Sequence, residues 1–235
     1  IISTNMVTNY LKEQGISAHL IAALDYMRTD KNGEPDAAYI KEKLTDVLAN
    51  TPKVQIYITQ GFICRNINGE IDNLQRGGSD YTASLIGAAV GASEIQIWTD
   101  IDGMHNNDPR IVDGTTAVRH LHFEEAAELG YFGAKILHPT CIQPAKFANI
   151  PVKLLNTMEP EAPGTMIVPS TNDASQIITG VAGKKGFSVI NIEKDMMNSE
   201  IGFGRRVLEV LEDYDISFEH LPSGIDTMGV LLNTS

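Results

Sequence analysis

Residues 76–80 read Arg-Gly-Gly-Ser-Asp and run straight into Tyr81–Val90, a helix-like stretch of small and apolar residues. A glycine pair feeding a helix commits the chain to a turn whose backbone N–H groups can approach a ligand closely, with Ser79 placed to cap the helix. The helix start adds partial positive charge, so the junction suits a phosphate or a carboxylate. Arg76 supplies a planar fork for the same anion, and Asp80 stands where it can manage a proton or position a group. Gly-Gly turns before helices are common, so this junction alone specifies no function.

Three further segments narrow the choice. Ile95–Gly103 alternates as a strand and ends in Thr99, Asp100 and Asp102, with Gly103 making the turn towards Asn107–Arg110. Polar groups at a strand's carboxyl end are where open α/β sheets place ligands. Gly130–Pro139 reads as a helix ending in Lys135, within reach of a phosphate, and closed by His138-Pro139. Asn156–Thr165 is a polar, turn-rich stretch after the strand Val152–Leu155.

Elsewhere the pattern predicts a helix over 3–14 closed by Gly15, a strand over Ser17–Ala22, and a turn at Asp30–Pro35. A polar-faced helix from Asp36 to Ala49 is stopped by Pro52. Val54–Thr59 alternates as a strand and leads to Gly61, where a βα-type loop can meet substrate; Asn66–Asn73 reads as a hairpin or lid excursion. Strand, glycine turn and helix alternate through residue 156, the pattern of a three-layer α/β/α sandwich. Pro, Ser, Thr and Asn cluster over Val168–Ser175, which marks a boundary. Beyond it lie a strand (Phe187–Glu193), a helix (Gly204–Tyr214) and two strands (Ile216–His220, Asp226–Leu232), the βαββ opening of a ferredoxin-like module.

Composition sets outer bounds. Thirty acidic against 18 basic residues give a net charge of −12, which disfavours nonspecific binding to nucleic acid or to an anionic membrane. No apolar run approaches a membrane span. Cys64 and Cys141 lie far apart without metal-ligand spacing, so a reduced cytoplasmic setting is expected. His120 and His122 have strand spacing, which alone is weak evidence for ligands, so no metal site is expected.

In this order and spacing, RGGSD, WTDIDG, NDPR, FGAKILHP and NT-PEAPGT closely resemble the catalytic domain of the aspartate kinases, within the amino acid kinase superfamily. Residues 1–168 resemble the later two-thirds of that domain, and 175–235 the start of its ACT regulatory region. The resemblance implies an α/β, three-layer amino acid kinase-like sandwich followed by a partial ferredoxin-like (ACT) α+β module. It implies a phosphotransferase that uses ATP with Mg²⁺ to phosphorylate the side-chain carboxylate of L-aspartate. A sister kinase acting on another small carboxylate or acyl phosphate, and a non-catalytic amino-acid-sensing fragment, are the alternatives.

By the same resemblance, Arg76, Gly77, Gly78 and Ser79 hold the substrate carboxylate, and Asp80 and Arg76 serve the transfer. Thr99, Asp100, His105, Asp108, Arg110 and Lys135 face the nucleotide. In the regulatory region Met197, Glu200, Gly202, Phe203 and Glu219 match an effector loop for lysine or threonine, and edge-strand pairing implies a homodimer. Two positions depart from the pattern. His105 stands where many relatives carry an aromatic residue, followed by Asn106-Asn107, and Gln75 replaces a common glycine before Arg76. The family also carries a strand, a Lys-Phe-Gly-Gly loop and a substrate-binding glutamate ahead of the position of Ile1, so the chain reads as a fragment whose own turnover stays open.

Overall fold

A computed structural model describes residues 1–75, 77–132, 137–170 and 178–234. Helix α1 (Ile2–Glu13) turns at Gly15 into strand β1 (Ala18–Ile21). Helix α2 (Ala37–Ala49) is capped by Asp36, whose carboxylate accepts the Tyr39 N–H at 3.1 Å. Strand β2 (Ile56–Thr59) then pairs in parallel with β1. The expected excursion is a hairpin of β3 (Ile63–Arg65) and β4 (Ile71–Asn73).

Helix α3 (Gly78–Val90) follows, ended by Gly91 in the left-handed region, and returns through a short turn to β5 (Ile95–Thr99). Its small residues have a packing reason, since a Cβ at Gly87 would fall 2.5 Å from the Ile95 side chain. Next come β6 (His120–His122), α4 (Phe123–Phe132), α5 (Pro139–Phe147), β7 (Val152–Asn156) and β8 (Thr165–Val168). The four strands order as β5-β7-β8-β6, with β5 parallel to β7, β6 parallel to β8, and β7 antiparallel to β8. Sheet residues Ile97, Leu121, Val152, Leu154 and Ile167 share a core with Leu85 of α3, Phe123 of α4 and Ile142 of α5.

Chain contacts divide the molecule into two units, 1–183 and 184–235. The second unit holds β9 (Phe187–Glu193), α6 (Phe203–Asp213) and β10 (Thr227–Asn233), with β9 and β10 antiparallel.

Three expectations need correction. Ser79 does not cap α3; that place belongs to Gly77, with φ +77 and no side-chain bond. His138-Pro139 opens a helix instead of ending one, with His138 capping α5 and Pro139 in its first turn, where the missing proline N–H carries no penalty. Ile216–His220 is not a strand. Only its end bonds to β10, through Glu219 N–H to Leu231 O at 2.8 Å and Leu231 N–H to His220 O at 2.9 Å. Pro222, which lacks an N–H, prevents that ladder from continuing regularly. Helix α4 is described only as far as Phe132, so a helix running on to Lys135 lies outside the described residues.

Candidate active site

Helix α3 runs back from its start to the beginning of β5, so its N-terminus and the carboxyl end of β5 share one edge of the fold. The turn after β2 reaches the same place. A Cβ at Gly61 would lie 2.8 Å from Ser79 Cβ, and the Phe62 N–H donates to Thr82 Oγ1 at 2.9 Å. On the other side α5 presses inward. The Cys141 thiol meets the Gly77 carbonyl at 3.6 Å and occupies the space a Cβ at Gly77 would need. Glycine is therefore required there twice, by its positive φ and by the sulfur.

Gly77, Gly78, Ser79 and Asp80 thus form a turn clamped between Gly61 and Cys141, with Ser79 exposed. Asp80 lies half-buried in the first turn of α3, and burial pushes its carboxyl up, against the favourable field of the helix start. It makes no hydrogen bond or ion pair with any described side chain. Burial and the neighbouring Asp80 together push the Cys141 thiol up to about 11, so that cysteine is an inert wedge at neutral pH. Before the turn, Gln75 holds φ +48, a conformation few non-glycine residues adopt, steadied by its N–H to Asn73 Oδ1 at 2.9 Å. Arg76 lies outside the described residues, as does Lys135.

At the end of β5, Thr99 Oγ1 donates to Asp100 Oδ1 at 3.1 Å, and the Thr157 N–H donates to Thr99 O at 2.8 Å. Asn156 is buried and uses Oδ1 to accept the Met158 N–H at 2.9 Å, which turns the chain out of β7. Gly103 has φ +126 and abuts Thr165, whose Oγ1 accepts the Met104 N–H at 2.9 Å and donates to Val118 O at 2.6 Å. The Asp102-Gly103 turn is therefore built into the sheet.

The loop beyond carries two charged anchors. Asp108 accepts from Arg110 through Nε at 2.9 Å, Nη2 at 2.6 Å and the backbone N–H at 2.9 Å. Arg110 remains 66% exposed in its side chain, so its guanidinium keeps donors for an incoming anion. His105 is engaged at both ring nitrogens, Nε2 with Asp102 Oδ1 at 2.7 Å and Nδ1 with Thr115 Oγ1 at 2.9 Å. Both edges of this imidazole are thus taken, leaving no ring nitrogen for a further hydrogen bond, which the sequence could not reveal. The proximity of Cys141 to the α3 turn was also missed, because residues 64 apart in sequence give no local signal.

In the second unit, Met197 is buried in a one-turn 3-10 helix (Met197–Ser199), and Gly202 caps α6 with φ +80 ahead of Phe203. Glu200 pairs with Lys194 at 2.5 Å and with Arg206. Glu219 lies 3.6 Å from the Lys184 ammonium. A cavity of about 640 Å³ lies beside Asn106, Asn107, Thr116, Arg119 and Thr179, away from the start of α3.

Comparison with known proteins places this architecture. A profile of the amino acid kinase family matches residues 1–156. Chloroplastic aspartokinase 1 of Arabidopsis thaliana is 35% identical over 100% of this chain and 42% of its own length. Among solved structures, the aspartate kinase of Clostridium acetobutylicum superposes with a TM-score of 0.82 at 37% identity, over 99% of this chain and 52% of that one. Aspartokinase III of Escherichia coli in complex with aspartate and ADP gives a TM-score of 0.83 at 32% identity, covering 99% and 53%. The same enzyme in complex with lysine and aspartate gives 0.73 at 29%, covering 99% and 54%. The chain spans about half the length of these relatives. The α/β architecture agrees with that match and with these neighbours, and this chain belongs to the amino acid kinase family.

Proposed function

We propose that this chain carries substrate and nucleotide loops of an aspartate kinase, which transfers the γ-phosphoryl group of ATP to the side-chain carboxylate of L-aspartate and yields 4-phospho-L-aspartate, the first step towards lysine, threonine and methionine. The carrying observation is the Gly77–Asp80 turn, clamped by Gly61 and Cys141 at the strand-end edge. It sits in a chain similar along 99% of its length to an enzyme solved with aspartate and ADP.

The chemistry fits what is present. A carboxylate acceptor is already ionised near neutral pH, so no strong general base is needed. Catalysis is then positioning and charge neutralisation. Backbone N–H groups at Gly77, Gly78 and Ser79, with the Arg76 fork, hold the substrate's anionic end. Asp80 orders the transfer zone. Thr99 and Asp100 lie along the base and ribose, His105 offers its ring face, and Asp108 sets Arg110 towards the phosphates, with Lys135 beside them. Mg²⁺ neutralises phosphate charge when bound; it commonly arrives with the nucleotide and takes only one or two protein carboxylates. Asp80 is suited to that part because it is half-buried and engaged by no described side chain.

The same reading takes 1–168 as catalytic and 175–235, whose compact part starts at Lys184, as the opening of an ACT region, supported by the antiparallel β9–β10 pair with α6 between them in sequence. An amino acid effector, lysine or threonine, would lie at Met197–Phe203, its amine displacing Lys184 from Glu219. A homodimer through this unit and a cytoplasmic setting complete the proposal; two free, buried thiols suit a reducing compartment.

Trapping the product with hydroxylamine tests the reading. Incubation with Mg-ATP and L-aspartate is expected to give the aspartyl hydroxamate. A hydroxamate formed from a different small carboxylate, with none from aspartate, would transfer the assignment to a sister kinase.

A further inference from the structure

The last stretch of the first unit lies against the loop between β5 and β6. The Val181 N–H donates to the Asn106 carbonyl at 2.8 Å. Within that loop, the Asn106 N–H donates to Thr116 O at 3.0 Å and the Val118 N–H to Met104 O at 2.8 Å. Thr116 N–H returns a bond to Asn106 Oδ1 at 3.1 Å. Met104–Asn106 and Thr116–Val118 are thus a short antiparallel pair, bridged at His105 and Ala117, and Val181 is tied to it by one backbone hydrogen bond.

That approach leaves little room for a side chain at 180, where neighbours would have to give by a few tenths of an ångström. A Cβ there would lie 3.0 Å from Asn106 O, 3.2 Å from Asn106 Cα and 3.1 Å from Leu129 Cδ2. Thr179 fixes the register by donating to Glu125 Oε1 at 2.7 Å, and Glu125 is held in turn by the His122 N–H on Oε2 at 2.8 Å. The cavity of about 640 Å³ opens beside Asn106 and Asn107, so hydrogen bonds rather than close packing set the loop on that side.

We propose that Thr179–Val181 is a brace that positions the loop bearing His105, Asp108 and Arg110, and that Gly180 is a positioning residue for the nucleotide. The proposal rests on the reading of this loop as nucleotide-binding. Displacing a positioned group by a fraction of an ångström to one ångström weakens its contribution by up to about 10²-fold. Gly180→Ala shifts the Asn106 backbone modestly, Gly180→Val shifts it further, and Thr179→Val releases the register without adding bulk.

Calorimetric titration with Mg-ATP and with L-aspartate, beside thermal unfolding and amide hydrogen exchange over 104–118, tests this. The expected result is graded weakening of Mg-ATP binding, about threefold for Gly180→Ala and about tenfold or more for Gly180→Val. Aspartate affinity and melting temperature should hold, and exchange at 104–118 should rise; Thr179→Val should show the same pattern, more mildly. Unchanged Mg-ATP affinity, or equal loss of both ligands with a lowered melting temperature, would overturn the proposal. If the unaltered chain binds no Mg-ATP, the nucleotide reading fails. Exchange over 104–118 then decides the brace: a rise in the variants supports it, and no rise overturns it.

Discussion

Replacing Gly77 by alanine tests how the α3 turn is built. Two penalties act. The residue holds φ +77, and its missing Cβ leaves room that Cys141 Sγ fills. Left-handed backbone costs an L-residue about 1–2 kcal/mol. Overpacking a filled site costs about 1–3 kcal/mol. Alanine also narrows the unfolded ensemble, returning about 0.4–1 kcal/mol. The net is about 1–5 kcal/mol, with a central value of about 3 kcal/mol, or a fall of about 6–12 °C in melting temperature for a unit of this size. Urea unfolding of Gly77→Ala, Cys141→Ala and the double variant separates the two penalties. With the sulfur gone only the backbone penalty remains, so the pair should show a coupling of about 1–3 kcal/mol. Strict additivity would refute the wedge, and a Gly77→Ala variant as stable as the original would refute the positive φ as well.

Asp80→Asn should act in opposite directions on stability and turnover. Burial raises the folded pKa above the unfolded one, so the native state holds the proton more tightly. Stability therefore falls as pH rises through that window, with the full penalty present above the folded value. Asparagine should flatten that slope and leave the chain no less stable at neutral pH, while phosphoryl transfer drops by about 10²-fold or more. Equal turnover would remove Asp80 from the site. Asp36 runs the other way: its bond from Arg28 and the Tyr39 N–H hold its carboxyl below the usual range, so its contribution is present above the unfolded pKa and lost as pH falls through the folded value. Asp36→Ala should lose about 1 kcal/mol from the cap alone and more by stranding Arg28, whose Nε already lacks a partner among the described residues. Asp36→Asn, which keeps the cap, should lose less in urea unfolding. Gln75→Gly should relieve the left-handed backbone and raise stability by up to about 1 kcal/mol; a loss would mean that the Gln75 side chain does more than occupy the turn.

Local chemistry made much of the fold legible. Alternation in Ile95–Thr99 and the helical patterns of 36–49 and 81–90 each act within a few residues, and each element lies where the pattern put it. Failures came where tertiary structure decides. Ser79 looked like a cap because serine favours that place, yet Gly77 takes it since the turn needs a positive φ. His138-Pro139 looked like a stop, although proline is equally at home in a helix's first turn. Ile216–His220 had strand composition without a regular partner ladder. Residue types at the site, glycines and charges after strands, could be read directly. Their support could not: Cys141 behind Gly77, Val181 beside Asn106, and His105 held at both nitrogens are contacts between distant or turned segments, with no periodicity to announce them.

The most direct test of the central claim is calorimetric titration of this chain with Mg-ATP, with and without L-aspartate, beside Arg110→Ala. The account predicts saturable binding that aspartate modulates, weakened about tenfold or more in the variant, the equivalent of one charge-assisted hydrogen bond of ~1.5 kcal/mol. No binding by a sample that unfolds cooperatively, or binding indifferent to Arg110, would contradict it.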